Sequence, residues 1–226
     1  MQEVTDRLLS GGAGLVGAAD LRALPAEVRS GLPVGISFAV PLDAGIVADL
    51  LQGPTIAYRD EYARVNRRID ELAGRGAESL RARGRKAVAL AATVAVVDPA
   101  LVPIPLPHKT VARLAGLGWI GKCALLVTDD YGSAVRLGTI LTEAEVPVGR
   151  PVEASRCGQC EACVRVCPGA APTGRTWRPG MTREDLLDAH ACRKALQASR
   201  RRLGHEICGM CIAVCPWTQR YLDGAP

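Results

Sequence analysis

The sequence predicts an α+β fold in two parts: a mixed helix-and-strand domain over residues 1–150, and a small helical domain over 151–226. Three observations predict it. Segments with helical spacing alternate with short β-branched runs as far as Thr142. A proline-marked stretch, Pro147 to Pro151, then interrupts the pattern. Beyond it lie eight of the nine cysteines.

Taken in order, residues 2–10 read as a helix carrying Val4, Leu8 and Leu9 on one side. Gly14 to Ala19 and Val34 to Val40 read as strands between glycines and prolines, and Ala44 to Leu51 as a further helix. From Arg59 to Arg83, Tyr62, Val65, Ile69 and Leu72 recur at three and four residues, which is one face of a long helix. Ala87 to Val97 is short and rich in valine, so a buried strand is expected. Pro99 to Pro107 reads as extended and Thr110 to Leu114 as a helical turn or two. Cys123 to Thr128 and Ser133 to Thr142 flank Asp129-Asp130-Tyr131-Gly132 and are expected to form a hairpin.

Hydrophobic residues make up 48% of the chain and charged residues 23%, which excludes a disordered chain. Phe38 is the sole phenylalanine, so the core must be built from alanine, valine, leucine and isoleucine. The net charge of +5 is modest, and the clusters Arg67–Arg68, Arg81–Lys86 and Arg200–Arg202 read as solvated helix faces, with a nucleic-acid contact as the alternative. The run Ala87 to Val97 is too short to span a bilayer as a helix. With no apolar signal core near Glu3 and Asp6, a cytoplasmic protein without a membrane partner is expected.

The cysteines carry the chemistry. Cys157, Cys160, Cys163, Cys167 and Pro168 reproduce the run C-x2-C-x2-C-x3-C-P that binds [4Fe–4S] clusters in bacterial ferredoxins. Three thiolates spaced by three residues wrap one cubane from a tight loop. The cysteine before proline is forced out of helical conformation and aimed elsewhere. Cys208, Cys211, Cys215 and Pro216 repeat the pattern without its first cysteine, which Cys192 replaces. In two-cluster ferredoxins the last cysteine of each run serves the other cluster. The expected sets are therefore Cys157, Cys160, Cys163 and Cys215 for one cluster, and Cys167, Cys192, Cys208 and Cys211 for the other. Structural zinc would call for four ligands, often as two CxxC pairs, rather than triples closed by Cys-Pro. Cys123, left over, reads as a small buried hydrophobe.

Gly116, Gly118 and Gly121 satisfy a G-x-G-x-x-G pattern, but a helical segment precedes it and an apolar strand follows. A phosphate site needs the reverse order, so that a helix N-terminus faces the anion. The glycines are read instead as places where the chain approaches a cofactor or another backbone closely.

Taken together, AGLGWIGK (115–122), GSAVRLGTILT (132–142), CGQCEACVRVCP (157–168), CGMCIAVCPW (208–217) and the isolated Cys192 resemble the epoxyqueuosine reductase family. These are cobalamin-dependent iron–sulfur enzymes related to reductive dehalogenases. The segment RDEYARVNRRIDELA (59–73) resembles the family more loosely. The resemblance implies a nitroreductase-like α/β core followed by a ferredoxin-like double-cluster domain. It implies cobalamin bound near Gly116, Gly118, Trp119, Gly121 and Lys122, and a tRNA substrate. An electron donor such as a ferredoxin or flavodoxin would feed the clusters. Glu61-Tyr62-Ala63 stands where the family has Asp-Tyr-His, and Val102 to Pro107 contains no counterpart of the family's proton-donating aspartate. The chain also stops soon after Cys215, without the helical-repeat extension many members carry. His108 and Tyr62 are the remaining candidates for a proton or hydrogen-bond donor. The expected function is an iron–sulfur reductase relaying electrons to a corrinoid; the alternative is a two-cluster electron-transfer protein without corrinoid chemistry of its own.

Overall fold

The computed structural model describes residues 2–93 and 106–224. Helices and strands are mixed, and contacts divide the chain into two compact units that interleave in sequence. The first comprises residues 1–41, 64–117 and 136–152; the second comprises 42–63, 118–135 and 153–226. The sequence reading cuts the chain once, at 150/151, whereas two earlier segments here count with the cysteine-rich unit.

The first unit is built on a four-stranded sheet. It holds β1 (Leu15–Asp20), β2 (Val34–Pro41), β6 (Val135–Thr142) and β3 (Ala87–Leu90) in the order β1-β2-β6-β3. β1 runs antiparallel to β2 with Val16 opposite Phe38, and β3 antiparallel to β6 with Ala89 opposite Ile140. The central strands β2 and β6 are buried along most of their length, while β1 and β3 at the edges are not. That is why the central strands read as continuous apolar runs and not as alternating ones.

Both faces of the sheet are covered. α4 (His108–Leu114) packs on β1 and β2, and its Val111 joins Ala19, Leu21, Leu32, Leu106, Ala115 and Leu141 in one apolar cluster. Ile140, next along β6 and so on the opposite face, lies against Gly76 of α3 (Ile56–Arg81). Val65, Ile69 and Leu72 are buried along α3, as their spacing predicts. α1 (Gln2–Ser10) adds Val4 and Leu8, both fully buried. Truncating one such leucine to alanine typically costs about 2–5 kcal/mol.

The expected hairpin does not form. β5 (Leu126–Val127) pairs with β4 (Trp119–Ile120), and β6 joins the large sheet. Across the expected turn, a bridge between Thr128 and Gly132 closes only a tight loop. The cause is a tight reversal at Gly121–Ala124, where Ala124 adopts a left-handed backbone and its N–H donates to the Gly121 carbonyl. The strand expected over 87–97 ends at Leu90 among the described residues. Its last four positions, and the stretch 102–105, lie outside them.

In the second unit α2 (Ala44–Ala48) starts at Asp43, whose carboxylate accepts from the Ile46 N–H. α2 and the short 3-10 turn after it pack against α7 (Met210–Ala213), and α2 also against α8 (Pro216–Leu222). The Tyr221 hydroxyl donates to the Leu42 carbonyl. α5 (Ala162–Val166) and α6 (Ala189–Leu203) complete the unit. α6 is capped by Asp188 and closed by Gly204, with Arg200–Arg202 in its last turn, where positive charge suits the helix dipole. Among the described residues no helix is long and apolar enough to cross a membrane.

Candidate metal centre

The loop 157–160 reverses at Gly158 and feeds α5, so that Cys157, Cys160 and Cys163 face one another. Cys167 ends α5 in an extended conformation, forced on it by Pro168. Cys215 is likewise extended ahead of Pro216, which opens α8.

Cys157, Cys160, Cys163 and Cys215 line a single cavity of about 120 Å³. Gly121, Lys122, Cys123, Val127 and Trp217 share its wall. Cys215, remote in sequence from the triple, stands within electrostatic reach of Cys157. Cys167, Cys192 and Cys208 interact as a second group. Cys211, expected in that second group, also lines the first cavity and touches Cys123. Among the described residues no three ligating groups converge tightly enough for a single ion; the thiols ring a space instead. A wall of soft sulfur donors fits an iron–sulfur cubane.

Burial sets the acid–base state of these thiols. The pKa of Cys163 is pushed well up by Cys123 beside it and then by burial. Burial raises Cys192, Cys208 and Cys215 as well; at Cys215 the backbone N–H groups of Thr218 and Trp217 and the Ser133 hydroxyl oppose it. Thiols held in the protonated form must release protons when they ligate metal.

The loop leading to Cys208 is tied down by Ser199, which accepts from the Ile207 N–H and has its one hydroxyl proton within reach of the Leu196 carbonyl at 2.7 Å and the His205 carbonyl at 3.1 Å. Near the first cavity Trp119 and Trp217 meet edge to face, with centroids 4.8 Å apart. Arg156 lies 5.0 Å over Trp119 and is paired with Asp129, while Arg220 lies 4.3 Å over Trp217.

The glycine segment is expected to let the chain approach a cofactor or another backbone closely, and main chain does approach it. A Cβ on Gly118 would stand 2.2 Å from the Val127 carbonyl oxygen, and one on Gly116 2.8 Å from that of Arg150. These glycines are backed by the protein's own main chain, and Trp119 is fully buried. Gly116 is nonetheless exposed, while Gly118 is buried. Gly121 and Lys122 face the cysteine cavity.

His108 is held in the sheet unit. Its Nδ1 is 2.8 Å from Thr139 Oγ1 and its Nε2 2.9 Å from the Ala91 carbonyl, so Nε2 carries the proton and Nδ1 accepts from the hydroxyl. Burial pushes its pKa down; the Ala91 carbonyl and Asp70 resist, and Arg136 reinforces. The group is a neutral strut in this arrangement. A histidine in the unfolded chain titrates near about 6.5, so below that pH the unfolded state takes up a proton that the folded state refuses. The stabilisation is complete above the unfolded pKa and is lost as pH falls towards the folded one. Wild-type thermal stability should therefore drop more steeply from pH 7.5 to 5.5 than that of His108→Gln; parallel curves would contradict it. Tyr62 packs edge-on against Tyr58, with centroids 6.4 Å apart.

Comparison with known proteins bears on these sites. Residues 156–218 match the family model of the 4Fe-4S double cluster binding domain. The epoxyqueuosine reductase of Pseudomonas aeruginosa is 31% identical over 211 residues, covering 88% of this chain and 55% of that protein. That of Escherichia coli is 31% identical over 216 residues, covering 88% and 52%. The chain thus spans about half the length of the curated relatives it matches. An epoxyqueuosine reductase solved with an epoxyqueuosine-modified tRNA-Tyr stem loop superposes with a TM-score of 0.61 at 19% identity, over 96% of this chain and 65% of that one. A reductive dehalogenase, whose structure suggests a mechanism for B12-dependent dehalogenation, superposes at 0.70 and 19% identity, over 98% and 32%. At such identities the structural matches establish a shared fold.

Proposed function

We propose that this chain, a homologue of the epoxyqueuosine reductases over 88% of its length, is an iron–sulfur reductase whose two [4Fe–4S] clusters hand single electrons to cobalamin. The observation that carries the reading is the ring of Cys157, Cys160, Cys163 and Cys215 around one cavity, with Cys167, Cys192 and Cys208 gathered separately. The first four hold one cluster; the other three, with Cys211, hold the second. Cobalamin supplies the bond-breaking chemistry that clusters lack. Its support is the B12-dependent neighbour. The sheet unit is of the nitroreductase-like kind, as the family resemblance implies.

A modified tRNA base is the substrate class supported by the stem-loop complex of the related reductase. A low-potential ferredoxin or flavodoxin is the electron donor this scheme requires. The rival reading is a two-cluster electron carrier without corrinoid chemistry of its own.

Anaerobically purified protein should contain about eight irons per chain, two cubanes of four. Added cob(II)alamin should shift its cobalt EPR signal. Stoichiometric zinc without iron would sink the cluster assignment, and an unshifted cobalt signal in cluster-loaded protein would leave the carrier reading.

A further inference from the structure

Two buried groups, Cys123 in the wall of the first cavity and Ser133 outside it but beside the helix that Cys215 caps, are left over once the ligands are assigned. Ser133 is 2% exposed, and its Oγ completes no hydrogen bond of good geometry within the protein, although the Cys215 thiol is near enough to feel it. Burying a hydroxyl without a well-made hydrogen bond is costly, so its position calls for an explanation. Cys123, 6% exposed, shares the cavity wall with the ligand thiols and is in side-chain contact with Cys163 and Cys211.

Both groups are rigidly aimed. The turn before Ser133 is closed by Thr128, whose hydroxyl donates to the Gly132 carbonyl and accepts from the Tyr131 N–H. The Ser133 N–H in turn donates to Thr218 Oγ1 at 3.0 Å, in the first turn of α8 directly after Cys215. Cys215 caps the N-terminus of that same helix, three residues before Thr218. Cys123 sits in the reversal at Gly121–Ala124, and its Sγ, like that of Cys157, lies within 4 Å of where a Cβ on Gly121 would stand.

We propose that the Ser133 hydroxyl and the Cys123 thiol are non-ligating hydrogen-bond donors to the first cluster's ligand sulfurs, Ser133 to Cys215 and Cys123 to Cys163, and that they raise its reduction potential. This rests on the cluster assignment above. A cubane carried by four thiolates is anionic and gains one more negative charge on reduction. Donors pointed at its sulfurs therefore stabilise the reduced form more than the oxidised one. Ser133 adds a third donor to Cys215, beside the N–H groups of Trp217 and Thr218 at the helix N-terminus. Four ligands already satisfy the cubane, which leaves Cys123 its proton and its role as donor.

The test is an EPR-monitored redox titration of the full, cluster-loaded chain. The first cluster is identified as the one missing from Cys215→Ala. Ser133→Ala and Cys123→Ala should each shift its reduced-to-oxidised ratio at fixed potential about tenfold towards oxidised, or about 59 mV for one electron. Iron content should be unchanged and the other cluster should serve as an unmoved reference. Cys123→Ser, which keeps a donor, should titrate like the wild type. An unmoved first midpoint in both alanine variants, or loss of iron in place of a shift, overturns the proposal. Wild-type protein without iron would instead defeat the cluster assignment on which it rests.

Discussion

Replacing Cys215 with alanine should remove the first cluster and leave the second, halving the iron from about eight per chain to about four. The expectation comes from geometry and runs against sequence proximity. Cys215 is spaced with Cys208 and Cys211, yet it lines the cavity of Cys157, Cys160 and Cys163. Its extended backbone ahead of Pro216 turns the side chain away from its own run. Alanine offers no substitute ligand, and three thiolates leave one iron open to solvent. The cluster held by Cys167, Cys192 and Cys208 keeps its ligands. Iron analysis with EPR of the reduced protein reads this directly, and loss of the second cluster alone would show the pairing to be uncrossed.

Gly132→Val should be the most damaging change in the turn that follows β5. Gly132 has φ near +55°, and a Cβ there would stand 2.2 Å from the Thr218 amide nitrogen. The backbone strain is about 1–3 kcal/mol and overpacking about as much again. Together they put the loss near 3 kcal/mol or more, a fall in Tm of roughly 6–12 °C for a chain of this size. The turn would lift off the start of α8, so cluster loading should suffer too. A Tm within 2 °C or so of the wild type, with full iron, would contradict the close approach.

The cysteine chemistry was legible because Cys-Pro junctions and three-residue spacing act locally: each proline dictates the conformation of the thiol before it. The long helix was legible for the same reason, through Val65, Ile69 and Leu72. The hairpin was misread because the reversal that breaks it carries no turn signature at its left-handed position. Ala124 adopts that conformation inside the apolar run Cys123 to Thr128. β6 then reads as a hairpin arm although it lies inside the large sheet, since an unbroken apolar run records burial and not the identity of the neighbour. Gly118 was recognised as a point of close approach, but what approaches is the Val127 carbonyl, a tertiary fact with no trace in spacing. Ser133 and Cys123 were invisible as cluster neighbours for the same reason, since both matter only through residues remote in the chain.

The interleaving of the second unit has a consequence for the order of events during synthesis. The Tyr221 hydroxyl reaches the Leu42 carbonyl across 179 residues of chain. Residues 42–63 and 118–135 therefore leave the ribosome well before the helices they will pack against exist. Contacts so distant in sequence pay their loop-closure entropy late and form slowly. The first cavity cannot close until Cys215 has emerged, so its thiols wait as an open, oxidation-prone set until the last stretch of α8 is made. Iron and sulfide must therefore reach the first site only after Cys215 has emerged, long after the strands of the sheet have been made.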